Sequence, residues 1–273
     1  MTSSTYHVKD VCYQSAGIKI NALLYTPLDV DSPRPAIAHH PSHRSPAEQY
    51  EWYMGKLAAA GYVGLAIEQR GYGSGTPADS DRGGPLQQGD ISNGISFLAN
   101  LPYVDKSRIG VSGHSNGAAL ALIVSAKDQR VRACVSLAPK TDWVRALRSA
   151  RDWKPDFYAQ TIKEMSGGIP PDKDTRPYAE RSPITYAKEI HIPVLFIVGA
   201  QDWVNPLYHC QWMRDALEQS GNKLSEIHVI EEVDHFFCRR HFLGYQFDQV
   251  TGPAIAWFDR HLKSNVTNSQ VNK

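Results

Sequence analysis

Residues 108–124, RIGVSGHSNGAALALIV, change their conformational preference halfway along. Ile109 and Val111 favour a strand, while residues 118–123 favour a helix. Between them stands Gly113-His114-Ser115-Asn116-Gly117. A strand that becomes a helix over five residues must turn sharply, and only small neighbours avoid a clash at such a turn. The G-x-S-x-G arrangement does this. It lifts the serine Oγ off the sheet, and the helix N-terminus behind it favours developing negative charge. A chain with this unit is committed to a sheet with helices packed on it.

The rest of the sequence follows suit. Residues 6–14 and 18–27 read as antiparallel strands about a turn at Gly17. Strands are expected over 36–40, 62–67, 108–113, 131–138, 193–199 and 226–230. They alternate with helices over 47–60, 86–101, 115–127, 207–220 and 253–262. Such alternation predicts one α/β domain with a mostly parallel, doubly wound sheet. Its core covers about 6–140 and 191–263. Residues 141–190 break the alternation, are rich in aromatic side chains, and read as a small helical cap inserted between two strands. The tail 264–273 is polar.

Composition removes several classes of function. The formal net charge is +1, which gives no bulk attraction to nucleic acid or to an anionic membrane. The start, MTSSTYHVKDVCYQ, has no apolar run of signal-peptide type, and the longest apolar runs are strand-sized. Cys12, Cys134, Cys210 and Cys238 form no C-x-x-C pair and read as reduced thiols. The expected compartment is the cytoplasm.

A lone serine is a weak nucleophile and needs a histidine base backed by a carboxylate. In this type of fold the order along the chain is Ser, then Asp or Glu, then His. After Ser115, the strand PVLFIVG leads into Asp202, and EIHVIEE leads into His235. Both lie just past strand ends, where open α/β sheets place their ligands. Asp234 is the competing acid; adjacent to His235, it reads as a turn carboxylate.

With these residues in view, the sequence resembles the α/β-hydrolase superfamily, within it the dienelactone-hydrolase and prolyl-oligopeptidase-like branch. The resemblance runs through LAAAGYVGLAIEQRGYGSG, DISNGISFLANLPYVDKSRIGVSGHSNG, SPITYAKEIHIPVLFIVGAQDWVNP and AIAWFDRHL. It implies a serine hydrolase with Ser115 as nucleophile, Asp202 as acid and His235 as base. It also implies an oxyanion hole formed by two backbone N–H groups. Asn116 supplies one. The other belongs to the loop His39-His40-Pro41-Ser42-His43, where the family usually has His-Gly-x. Pro41 cannot donate. Ser42 is therefore the expected donor, with His43 as the alternative if the loop is one residue longer. Dienelactone hydrolase itself uses cysteine where this chain has Ser115.

Other features read more plainly. His39 and His40 should point to opposite faces of an extended segment, which argues against a metal site. RGYGSG, residues 70–75, lacks the G-x-G-x-x-G spacing of a dinucleotide loop. Arg145, Arg148 and Arg151 recur along one helix face and read as a solvated cationic surface, with an acidic substrate as the rarer reading. His43, Trp143, Trp153, Tyr158 and Trp203 are the candidate substrate contacts. No cofactor or metal is expected. The expected substrate is a small-molecule ester or lactone. The alternatives are a thioester-cleaving or acyl-transferring enzyme, a peptidase, or a ligand-binding sensor on the same fold. Oligomeric state is left open, and a homodimer is compatible with all of this.

Overall fold

A computed structural model describes residues 5–72, 81–239 and 244–263 of the chain, apart from the side chain of Trp153. β1 (Tyr6–Ser15) and β2 (Ile18–Pro27) pair antiparallel, from Tyr6 opposite Pro27 to Ser15 opposite Ile18. Ala16 and Gly17 join them with φ of 47° and 80°, the double positive φ that a tight hairpin requires. There follow β3 (Arg34–His40), α1 (Glu51–Ala59), β4 (Val63–Ile67), α2 (Pro85–Ala99), β5 (Val104–His114), α3 (Asn116–Lys127) and β6 (Val131–Leu137). Three helices come next, α4 (Trp143–Trp153), α5 (Pro155–Ser166) and α6 (Arg176–Ala179), and then β7 (Val194–Gly199), α7 (Tyr208–Gln219), β8 (Ser225–Ile230) and α8 (Phe247–Phe258).

The eight strands lie in the order β1-β2-β4-β3-β5-β6-β7-β8. β2 runs antiparallel to both neighbours, and β4 through β8 are parallel with β3 among them. The central strands are apolar nearly throughout because both faces are covered. Alternate residues serve opposite layers. Ala36 and Ala38 of β3 join Ile91, Ile95, Leu120 and Met213 of α2, α3 and α7, while Ile37 joins Tyr53, Leu57, Ala254 and Trp257 of α1 and α8. This is the expected α/β-hydrolase architecture.

Two of the boundaries that differ from expectation have a clear cause. β5 begins at Val104, which pairs with Arg34 ahead of a register shift; the polar residues Asp105–Arg108 hide this start in the sequence. α8 begins at Phe247 and carries Pro253 inside it. Burial of Val250, Ala254 and Trp257 against the sheet outweighs the local cost of that proline. Residues 141–190 do form helices between β6 and β7, with a small cluster of their own made of Trp143, Leu147, Met165 and Tyr178. Among the described residues no helix is long and apolar enough to cross a membrane. The polar tail, and residues 73–75 of the RGYGSG loop, lie outside the described residues.

The turn between β5 and α3 explains its own sequence. Ser115 sits at φ 56°, ψ −111°, a region costly for any residue with a side chain. A Cβ at position 113 would strike the backbone of Gly117, and one at 117 would strike the carbonyl oxygens of His40 and Pro41. Both neighbours are backbone and cannot swing aside. Gly117→Ala is therefore expected to lower the unfolding free energy by roughly 1–3 kcal/mol or more, as overpacking does. Urea denaturation at neutral pH measures this; an unchanged midpoint would show that the loop yields.

Candidate active site

The loops that follow β3, β5, β7 and β8 meet at one edge of the sheet. Ser115 is half-buried there. Its N–H donates to the Leu137 carbonyl at 2.8 Å and its carbonyl accepts from the Ala119 amide at 3.1 Å, which ties the turn to β6 and α3. The next residue, Asn116, opens α3, where a backbone N–H has no intrahelical acceptor. Its side-chain amide donates to Gln87 Oε1 at 3.1 Å, and the Gly83 amide donates to the same oxygen at 2.8 Å.

Asp202 and His235 come together from separate loops. The Ala200 amide donates to the Ile230 carbonyl and the Gln201 amide to the Val233 carbonyl, at 2.9 and 3.0 Å, which draws the loop after β7 against the one after β8. His235 Nδ1 then lies 2.7 Å from Asp202 Oδ2, with both side chains buried. The other oxygen, Oδ1, accepts the amides of Val204 and Asn205 at 2.8 and 2.7 Å. Each Asp202 oxygen thus has an acceptor role, and the carboxyl fixes the ring orientation of His235. Asp234 is engaged elsewhere. Its Oδ1 accepts the amides of Phe236 and Cys238 in its own turn.

The loop after β3 corrects one expectation. The Ser42 amide donates to the Tyr50 hydroxyl at 3.0 Å, so it is not free to receive an oxyanion. Pro41 gives no donor, and the His43 amide has no acceptor among the described residues. His43 is the alternative that a longer loop implies.

Ser42 leads into a chain of contacts that the sequence does not announce. The Tyr50 hydroxyl lies 2.8 Å from His114 Nδ1, and His114 Nε2 lies 2.9 Å from the carbonyl of His235. A carbonyl only accepts, so Nε2 carries the proton. The ring is neutral, Nδ1 accepts from Tyr50, and Tyr50 in turn accepts from Ser42. Burial, reinforced by His235 nearby, pushes the His114 pKa down to about 3, consistent with that neutral ring. One continuous polar path thus joins the loop after β3, the serine elbow and the His235 loop. His114 stands inside the G-x-S-x-G motif, but the motif treats it as a spacer. Tyr50 has no signal in the sequence beyond its aromatic character.

The cap docks nearby. Glu164 of α5 receives Arg82 Nη1 at 2.7 Å and Arg44 Nη2 at 3.3 Å, and lies 3.8 Å from His43 Nε2. Burial alone would raise its pKa, but the Arg82 bond and charge outweigh this and hold the carboxyl below the usual glutamate range. His43 also accepts from Gln69 Nε2 at 3.3 Å, so it borders the site where cap meets body. Trp143 is buried in the cap cluster, and Tyr158 packs beside it. Trp203 is half-exposed under Lys154. Trp153 ends α4, and its side chain lies outside the described residues. The three regularly spaced arginines turn to solvent. Arg145 pairs with Asp142, and Arg148 and Arg151 both pair with Asp172. His39 and His40 diverge, one toward Ser112 Oγ and the other toward the Pro41 carbonyl. Among the described residues no three metal-ligating side chains cluster.

A serine on a strained strand–helix turn thus shares a sheet edge with a carboxylate-backed imidazole, on a fold of the α/β-hydrolase type. Residues 48–265 match the prolyl oligopeptidase family, and the chain belongs to that family of serine hydrolases. It is 24% identical over 261 residues to an uncharacterized peptidase, YuxL, of Bacillus subtilis, covering 90% of this chain and 38% of that one. Its fold resembles the acylaminoacyl peptidase of Pyrococcus horikoshii, with a TM-score of 0.77 and 20% identity, over 96% of this chain and 42% of that one. It also resembles a putative dienelactone hydrolase from Klebsiella pneumoniae, with a TM-score of 0.68 and 20% identity, over 94% of this chain and 99% of that one. The chain thus spans about two-fifths of the two peptidases and nearly all of the third protein.

The buried histidines give a pH prediction. Burial pushes His40 down to about 4, and His43 and His114 down to about 3. Each stays neutral in the fold, while the unfolded chain takes up a proton below about pH 6.5. Their contribution to stability is therefore complete above pH 6.5 and is lost as pH falls toward 4. The slope is about 1.4 kcal/mol per pH unit for each histidine. Urea unfolding at pH 7.5, 6 and 5 measures it, and a flat profile would contradict neutral rings.

Proposed function

We propose that the protein hydrolyses a small carboxylic ester or lactone through an acyl-serine intermediate. The observation that carries this reading is the 2.7 Å contact between His235 Nδ1 and Asp202, placed at the same sheet edge as the strained Ser115. The mechanism follows from the proton inventory. With Nδ1–H given to Asp202, the free Nε2 is the basic nitrogen. It takes the proton of Ser115 as Oγ attacks the carbonyl carbon. The tetrahedral oxyanion is held by the N–H groups of Asn116 and His43, an interaction often worth roughly 3 kcal/mol per donor. His235 then returns the proton to the leaving oxygen, and water repeats the sequence on the acyl-serine. Asp202 keeps the ring oriented and stabilises it when charged. No step calls for a cofactor or a metal ion.

The ester reading rests on the chemistry of the leaving group and on the cap. An alkoxide or phenoxide asks less of the acid step than an amine does. The helices of residues 141–190, with Tyr158 as a candidate contact and Trp203 offered by the loop after β7, suit a compact and partly apolar substrate. Membership of the prolyl oligopeptidase family supports a second reading, a peptidase. The cytoplasm remains the proposed compartment.

Matched aryl esters and anilides with the same acyl group separate the two readings. The ester should exceed the anilide in kcat/KM by roughly a hundredfold, about 2.7 kcal/mol of transition-state stabilisation. Equal or faster cleavage of the anilide would establish the peptidase instead. Asp202→Asn should keep the fold and lower kcat by roughly a thousandfold or more, as in other triads that lose the carboxylate. Were Asp234→Asn the damaging change, the acid would be misassigned.

A further inference from the structure

Lys140 follows β6, and its side chain is buried at 8% exposure. Its Nζ donates to the carbonyl of Val204 at 3.2 Å, and among the described residues it forms no ion pair. The ammonium lies 5.4 Å from the ring centroid of buried Trp143, and the Arg82 guanidinium lies 5.3 Å from the same centroid. Arg82 gives Nη1 to Glu164, while its buried Nε has no partner. Two cations thus share one buried ring, and only Arg82 has a bonded carboxylate. A buried ammonium without a counter-ion costs several kcal/mol, so such groups are normally paired. Asp202 is near enough to favour the charged form, but both of its oxygens are taken by His235, Val204 and Asn205. Burial first, and then the charge of Arg82, push Lys140 down to about 7. No described carboxylate is bonded to Lys140.

Its neighbours belong to the loops that carry the candidate site. Val204 holds Lys140 through its carbonyl and Asp202 through its amide. At the other side Arg82 precedes Gly83, whose Cα faces the Asn116 side chain next to Ser115. Lys140 is thus tied to the acid loop, and Arg82 to the segment that lies against the serine elbow. The arginines of α4 do not compete for this role, since Asp142 and Asp172 already occupy them.

We propose that Lys140 and Arg82 form a carboxylate-binding subsite, and that the substrate carries a carboxylate in addition to its scissile ester. The ester part rests on the hydrolase reading above; the anion subsite does not. Binding is therefore measured without turnover, in the Ser115→Ala variant. Titration calorimetry at pH 6.5 compares phenyl hydrogen glutarate with phenyl pentanoate, and 3-carboxyphenyl pentanoate with phenyl pentanoate, placing the charge on the acyl or the alcohol side. One anionic ester should bind roughly tenfold tighter than its neutral partner or better. Lys140→Met in the same background should bring that ratio to within about twofold of one, and Lys140→Arg should retain it. Equal affinity in both pairs, or a preference that survives Lys140→Met, would overturn the subsite. The comparison of ligands in the Ser115→Ala protein decides the matter even if Lys140→Met does not fold. Failure of the unmutated enzyme to hydrolyse any of the esters would overturn the hydrolase reading and leave the binding ratio standing.

Discussion

The backbone of Ser115 sits at φ 56°, ψ −111°, where a residue with a side chain is held at a cost of roughly 1–3 kcal/mol. Such strain persists only if the surroundings over-determine it. Here the Ser115 amide is bonded to β6, its carbonyl to α3, and the two flanking glycines lie against backbone that would admit no Cβ. The contact of Gly117 with His40 and Pro41 does more than close the turn. It sets the loop after β3 directly against the N-terminus of α3.

Three loops must then hold register with one another, and neutral hydrogen bonds do this. The path Ser42–Tyr50–His114–His235 has a single consistent arrangement of protons, because its end is a carbonyl. A buried network with every member satisfied specifies one geometry, whereas a half-satisfied one would be costly. Charged groups stand beside this path: Asp202 behind His235, Glu164 between α5 and the loops of Arg44 and Arg82, and Lys140 with Arg82 around Trp143. The helices of residues 141–190 therefore contribute Glu164, paired with Arg44 and Arg82, and the ring of Trp143 beside two cations, in addition to their own small cluster.

The fold was legible because its signals are periodic and local. Eight strands and the intervening helices follow from apolar runs and turn residues, and the elbow follows from two glycines around a serine. Asp202 and His235 could be chosen among many carboxylates and histidines by chain order and by their places just past strand ends. What stayed hidden depends on contacts between distant segments. Ser42 looked like the donor, since nothing in the loop sequence shows Tyr50 reaching back to its amide. Pro253 looked like a helix start, since only packing shows that α8 continues through it. Lys140 sits in LAPKTDW with no periodic or charge pattern to mark it; only burial without a carboxylate sets it apart.

The central claim is that one serine, presented by a strained turn and activated by His235, performs nucleophilic attack. Covalent labelling with an aryl fluorophosphonate, followed by peptide mass spectrometry, tests it most directly, since the reagent reports the activated hydroxyl whatever the natural substrate is. One adduct per chain on the peptide containing Ser115, absent in Ser115→Ala, is the predicted result. Labelling at another residue, or undiminished labelling of Ser115→Ala, would contradict it.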